Sequence, residues 1–236
     1  MRGREVEDVR IGDGRGVYVA PSGDGPHAGV VVLHEATGLN DDTRRIARHV
    51  AGLGYATVAP DLFSFGSKLR CIARAVQEGF LAPQGTVTTG HVEQARAWLA
   101  DRPEVDGTRI GIVGFCMGGG FAVVAAARHP FAAAAVNYGR VPKDTSLLDG
   151  SCPVVANYGA ADRTIPASMP RRLEQTLADQ GVPVDVEVFP GVGHSFMNHE
   201  PALVQKLGFA HDERAAAQAW TRIQRFFATH LDVPAG

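Results

Sequence analysis

Short apolar runs and amphipathic stretches alternate along most of the chain. Residues 28–34 read AGVVVLH, dense in β-branched side chains and ended by a polar turn, which is the pattern of a strand buried on both faces. In 43–53, apolar Ile46, Ala47, Val50 and Leu53 recur at three- and four-residue steps behind Asp41 and Asp42, which can cap the start. This spacing predicts a helix closed by Gly54. The same reading predicts strands at 55–59, 109–114, 133–138, 153–158 and 184–189, and helices at 88–100, 118–128, 169–180 and 212–230. Strands separated by helices imply a mostly parallel central sheet flanked by helices on both faces, because parallel neighbours need crossover connections. Ligands of such sheets bind at the carboxyl ends of the strands. One segment breaks the rhythm: 62–85 carries Phe63, Phe65, Arg70, Cys71, Arg74 and Phe80 between a strand and a helix, and its place makes it a candidate lid. Residues 233–236 read as a frayed end.

Length narrows the picture to one α/β domain spanning residues 1–236, since single domains of this class run to about 250 residues. Hydrophobic residues make up 45% and charged residues 20%, enough apolar surface for a packed core. The formal charge of −2, with both signs interspersed, gives no extended positive field for nucleic acid or an anionic membrane. The charged start, MRGREVEDVR, lacks the apolar centre of a signal peptide, and no apolar run approaches the roughly 20 residues of a membrane helix. A soluble, cytoplasmic protein is expected. Cys71, Cys116 and Cys152 have no paired spacing, so neither a disulfide framework nor a zinc site is suggested.

The sharpest chemical signal is Gly114-Phe115-Cys116-Met117-Gly118-Gly119, lying between a predicted strand and a predicted helix. That is the setting of a nucleophile elbow of the G-x-S-x-G kind, with cysteine in the serine position. The alternatives are a glycine-rich turn around an inert cysteine, or a phosphate-binding turn whose G-x-G-x-x-G spacing is not met. A thiol at a helix N-terminus favours the thiolate below its free pKa of about 8.5. Acyl transfer then needs a proton carrier, and His194 follows the predicted strand 184–189 through the glycine-rich loop 190–193, whose flexibility can aim the ring. A locally bonded loop histidine is the alternative. His49, His91, His129 and His230 fall on or beside predicted helices, and no ligand spacing joins His194, His199 and His211 into a metal site. Asp162, after the predicted strand 153–158, can orient the imidazole, or can cap the turn before Pro166. Nucleophile, acid, base is the chain order of the α/β-hydrolase fold. Glu35, directly after the first buried strand, would lie on the same face as Cys116, although a turn role suits it equally.

Together, His34-Glu35-x-x-Gly38-Leu39-Asn40, Ala59-Pro60-Asp61-Leu62, the Cys116 elbow, Gly159-x-x-Asp162 and Gly193-His194-Ser195-Phe196 resemble the dienelactone hydrolase (carboxymethylenebutenolidase) family in content and order. The resemblance implies an α/β-hydrolase fold and hydrolysis of a carboxylic ester or lactone. It further implies that Cys116 is the nucleophile, that Asp162 and His194 complete a triad, and that Glu35 restrains the resting thiol. The backbone N–H groups of Met117 and Ala36 would form the oxyanion hole, and neither a metal nor an organic cofactor would be used. Members acting on dienelactone hold its carboxylate with two arginines, where this chain has Phe65 and Asn198; neither side chain offers a guanidinium's paired, charge-assisted grip. A less anionic ester, lactone or thioester is therefore expected, in a pocket walled by Phe63, Phe65 and Phe80 beside Asn198. Arg70, Arg74 or Arg140 could replace the missing arginines from another direction. The protein would be a monomer or homodimer acting on a small molecule. A different class of function keeps the fold as a non-catalytic ligand-binding or redox-sensing module in which Cys116 oxidises reversibly.

Overall fold

A computed structural model describes residues 5–78, 86–199, 205 and 210–231. Eight strands form one sheet: β1 (Glu7–Ile11), β2 (Gly14–Val19), β3 (His27–Leu33), β4 (Ala56–Pro60), β5 (Val105–Phe115), β6 (Ala133–Asn137), β7 (Val154–Gly159) and β8 (Val184–Phe189). Their spatial order is β1-β2-β4-β3-β5-β6-β7-β8. From β4 to β8 every neighbouring pair is parallel, whereas β1 and β2 form an antiparallel hairpin whose second strand runs antiparallel along β4. The β3 residues Val30, Val31, Val32 and Leu33 are inaccessible to solvent, as their unbroken apolar run predicts.

Among the described residues the α-helices beside the sheet include α1 (Asp41–Gly52), α2 (Lys68–Val76), α3 (Thr86–Ala100), α4 (Met117–Arg128), α5 (Ser168–Asp179) and α6 (Glu213–Leu231). The step from β3 to β4 runs against the direction of all later parallel steps. Right-handed crossovers therefore place α1 on one face and α3, α4 and α5 on the other. The last helix, α6, joins α1: the Trp220 ring lies 4.4 Å from that of His49, and Phe227 meets Tyr55 edge-on at 6.1 Å.

Three details differ from the sequence reading. The β1–β2 hairpin was not expected. Helix α2 occupies part of the segment read as irregular; 79–85, including Phe80, lie outside the described residues, as do 233–236. Asn40, not Asp41 or Asp42, caps α1: its side-chain oxygen accepts the Thr43 N–H at 2.9 Å, while the two aspartates occupy the first turn and oppose the positive end of the helix dipole.

Register brings the strand ends level. Leu33 pairs with Gly114, Phe115 with Asn137, and Asn137 with Asn157. The residues that leave the sheet next, Glu35, Cys116 and Tyr138, therefore start neighbouring loops on one edge.

Candidate active site

Cys116 caps α4 with φ 52° and ψ −115°, a left-handed conformation that costs an ordinary side chain about 1–3 kcal/mol. Its neighbours enforce the turn. A Cβ on Gly114 would stand 2.1 Å from the Gly118 carbonyl oxygen, and one on Gly118 only 2.6 Å from the carbonyl oxygens of Leu33 and His34. Both contacts are with backbone, so only glycine fits where strand, turn and helix pass this closely. The Cys116 N–H donates to the Asn137 carbonyl at 3.0 Å. Met117 opens α4, so its N–H belongs to the first helical turn, whose donors have no partner within the helix. None of the three cysteines is in a disulfide, and their surroundings differ. Cys71 is buried with its sulfur donating to the Phe65 carbonyl, and burial pushes the Cys152 thiol up to about 12. Cys116 is half-buried at the sheet's carboxyl edge.

The loops after β7 and β8 bring an acid and a base together. His194 Nδ1 lies 2.6 Å from Asp162 Oδ2, with both side chains buried. The other oxygen, Oδ1, accepts the Thr164 N–H at 2.7 Å, the Thr164 hydroxyl at 2.8 Å and the Ile165 N–H at 3.2 Å. Asp162 thus both caps its turn and faces the imidazole, so the two roles read from the sequence coexist. Burial pushes this carboxyl up, but the contact with His194 and the Thr164 donors outweigh it and hold the group below its ordinary value. The loop before His194 is fixed rather than flexible: the Ala160 N–H donates to the Phe189 carbonyl at 2.9 Å, and the Ala161 N–H to the Val192 carbonyl at 2.8 Å. These cross-ties act together with Gly191, which takes φ 73° in the loop, to aim the ring. Arg140 reaches the same turn, donating to the Thr164 carbonyl at 3.4 Å.

Glu35 is buried and accepts the Ser195 hydroxyl at 2.8 Å. Ser195, directly after His194, has φ 57°. The adjoining His34 is wholly buried between an acceptor, the Glu35 carbonyl 2.6 Å from Nδ1, and a donor, the Leu62 N–H 3.0 Å from Nε2. Those partners assign the proton to Nδ1, and burial lowers the pKa, so a neutral imidazole ties the Glu35 turn to the loop after β4. Ala36 lies in that turn, closed by the Gly38 N–H on the Glu35 carbonyl at 3.1 Å.

Tyr138 joins these groups. It has φ 41°, and its ring meets His194 edge-on at 5.0 Å. Burial pushes its hydroxyl pKa well up, and negative charge at Glu35, Cys116 and Asp42 pushes the same way. The hydroxyl donates to Asn198 Oδ1, while Asn198 Nδ2 donates to Asp42 at 2.9 Å. Asn198 is thus engaged on both sides, and with Glu35, Asp41, Asp42 and His199 it borders a hollow of about 280 Å³. Phe63 packs edge-on against His34 at 5.0 Å, beside the Glu35 turn. Phe65 lies farther along, stacked on His91 at 4.1 Å. The rings of His199 and His211 are 4.4 Å apart, and among the described residues no group of three or more His, Cys, Asp or Glu side chains could hold a metal ion.

Sequence reasoning missed Thr164, Tyr138 and the part played by Ser195. Thr164 follows Asp162 by two residues, the spacing at which an aspartate oxygen accepts from its own turn, and this signal was available. Nothing in the sequence marks Tyr138.

The pattern of the Dienelactone hydrolase family matches residues 15–231. Two curated proteins bearing the name "Putative carboxymethylenebutenolidase" are each 29% identical: one from Methylorubrum extorquens over 222 residues, covering 88% of this chain and 74% of its own, and one from Salmonella typhimurium over 230 residues, covering 90% and 82%. Among solved structures, a dienelactone hydrolase-like promiscuous phosphotriesterase from metagenomic libraries superimposes with a TM-score of 0.79 at 25% identity, covering 96% of this chain and 97% of its own. The dienelactone hydrolase of Anabaena variabilis, at 19% identity and a TM-score of 0.70 over 97% of this chain and 98% of its own, shares the fold. The mostly parallel sheet with helices on both faces is therefore an α/β-hydrolase fold.

Proposed function

This chain belongs to the dienelactone hydrolase family, and from that premise we propose that it cleaves a carboxylic ester or lactone through a cysteine acyl-enzyme. In this reading His194 takes the Cys116 thiol proton as sulfur attacks the carbonyl carbon. The carbonyl oxygen, now negative, receives the backbone N–H groups of Met117 and Ala36, each such donor lowering the barrier by about 3 kcal/mol. The intermediate collapses by breaking the bond to the alkoxide, which takes the proton back from His194; in a lactone that alcohol stays attached to the acyl group. Water then gives a proton to His194, attacks the thioester and releases the acid, and the proton returns to the thiolate.

Asp162 holds the ring by Nδ1, which leaves Nε2 for the proton traffic, and its ionised state stabilises the imidazolium. Glu35, held by Ser195, disfavours a resting thiolate because two negative charges would face each other. Phe63 and Phe65 supply apolar wall. Asn198 shapes the pocket through Tyr138 rather than by gripping an anion. No step calls for a metal or organic cofactor. The observation that carries the reading is Cys116 held at φ 52° between two glycines at the N-terminus of α4, a strained and half-buried position with no evident value to folding.

The deciding test is p-nitrophenyl acetate hydrolysis by wild type and Cys116→Ala, with intact-mass detection early in the reaction. The reading expects turnover with a transient acetyl adduct, both lost in the variant. Equal rates in the two proteins would remove Cys116 from the chemistry.

A further inference from the structure

Two asparagines stand where a buried parallel strand ordinarily carries valine or isoleucine. Asn137 ends β6, Asn157 lies opposite it on β7, and neither exposes any surface. Their hydrogen bonds form one chain across the sheet. Arg222 on α6 donates from Nε to Asn157 Oδ1 at 3.1 Å, Asn157 Nδ2 donates to Asn137 Oδ1 at 3.0 Å, and Asn137 Nδ2 donates to the Gly114 carbonyl at 3.2 Å. Arg222 is itself fixed: its guanidinium donates to Asp185 Oδ1 at 2.9 Å and lies 3.7 Å from Glu187.

The chain has one direction. A guanidinium can only donate, so Asn157 must turn its oxygen toward α6 and its NH₂ toward Asn137. Asn137 must then turn its oxygen toward Asn157, which leaves its NH₂ for the Gly114 carbonyl. The same residues hold the backbone of the two left-handed positions beside them. The Asn137 carbonyl accepts the Cys116 N–H at 3.0 Å, and the Asn157 carbonyl accepts the Tyr138 N–H at 2.8 Å. Asn137 therefore grips the elbow on both sides of Phe115.

We infer that Arg222, Asn157 and Asn137 are positioning residues: a one-way hydrogen-bond relay from α6 that fixes the elbow, and through it the aim of the Cys116 thiol and the Met117 N–H. The inference rests on Cys116 being the nucleophile. It extends the functional assembly to a helix on the far side of two strands, where none of the three side chains meets substrate.

Asn157→Asp tests the direction with almost no change in shape. A carboxylate still accepts from Arg222 but cannot donate to Asn137, whose amide must turn over and set its oxygen against the Gly114 carbonyl. With p-nitrophenyl acetate, kcat is expected to fall about tenfold while KM stays within about twofold, because substrate contacts are untouched and transition-state geometry is not. The pH midpoint of Cys116 alkylation by iodoacetamide should move as well. Arg222→Gln, on a helix rather than within the sheet, is expected to move both readings the same way by less, and it carries the test if Asn157→Asp does not fold. Folded variants with wild-type kcat and an unmoved alkylation midpoint would overturn the relay. Alkylation reads the thiol without turnover, so a protein inactive on the ester would refute the hydrolase reading while leaving the relay to be decided by the alkylation midpoint.

Discussion

At Asp162 a single carboxylate divides its oxygens between two duties, and the division sets what its replacement does. Asp162→Asn keeps the shape and can keep the Thr164 and Ile165 bonds on Oδ1, but it presents an NH₂ to His194 Nδ1 and forces the wrong tautomer. On the proposed mechanism, kcat for p-nitrophenyl acetate should fall by about three to four orders of magnitude with the fold intact. The same group gives an acid dependence. Its folded pKa lies below the free value of about 3.9, so its stabilisation is complete above that value and is lost as pH falls through the lower folded one. As pH falls below about 4, the urea midpoint of wild type should therefore drop more steeply than that of Asp162→Asn. Glu35 acts in the opposite sense. Removing its charge in Glu35→Gln relieves the resting thiolate, so Cys116 alkylation at neutral pH should speed up several-fold; an unchanged rate would take Glu35 out of the mechanism. Cys116, His194, Asp162 and Glu35 are legible as candidates because each follows a predicted strand with a characteristic neighbourhood. Their partners Thr164, Ser195, Tyr138 and Asn137 are not, because a side chain chosen for its contact with a distant turn leaves no periodic trace.

Among the elements, most of those drawn correctly from the sequence are buried on two faces or striped at helical spacing; β8, half-buried along most of its length, is an exception. The β1–β2 hairpin escaped because it holds the sheet's edge, where β1 is largely exposed, and because β2 begins GRG, a weak strand signal. Helix α2 escaped although Ser67 stands at its N-cap, because its first turn carries no acidic residue to reinforce that one signal and the helix is only nine residues long. The turn from β5 into α4 was legible for a stronger reason: its two glycines are required by contact with backbone. Gly118→Ala would press a methyl onto the carbonyls of Leu33 and His34, neither of which can swing aside as a side chain would. The expected loss is about 3 kcal/mol in chemical denaturation, with activity falling further as the elbow shifts. Retained stability would show that β3 and α4 can separate, and would weaken the argument that this turn is geometrically obligatory.

Among the described residues, hollows of opposite sign open along the carboxyl edge of the sheet, and which of them lies nearer the reacting carbonyl decides the charge the substrate prefers. One, of about 280 Å³, is bordered by Glu35, Asp41 and Asp42. The other, of about 360 Å³, is bordered by Arg10, Arg15 and Lys68, with Asp13 and Phe63. Register separates them: Gly16 pairs with Pro60 of β4, and Leu33 of the neighbouring β3 pairs with Gly114, so the hairpin lies three strand spacings, about 14 Å, from β5 and its elbow. Glu35 belongs to the acidic hollow, and Phe63, packed on His34, stands beside the basic one. On the proposed mechanism a short acyl group on Cys116, one strand from the Glu35 turn and three from the hairpin, is expected to lie nearer the carboxylates than the basic cluster. At an effective dielectric of about 20, one like charge at about 6 Å costs near 3 kcal/mol before screening. The kcat/KM for p-nitrophenyl acetate should accordingly exceed that for mono-p-nitrophenyl succinate at least tenfold, and added salt should narrow the gap. The reverse order would mean that a cation, Arg140 beside the Asp162 turn or the cluster beyond Phe63, reaches the acyl group and recovers the carboxylate grip that Phe65 and Asn198 cannot provide.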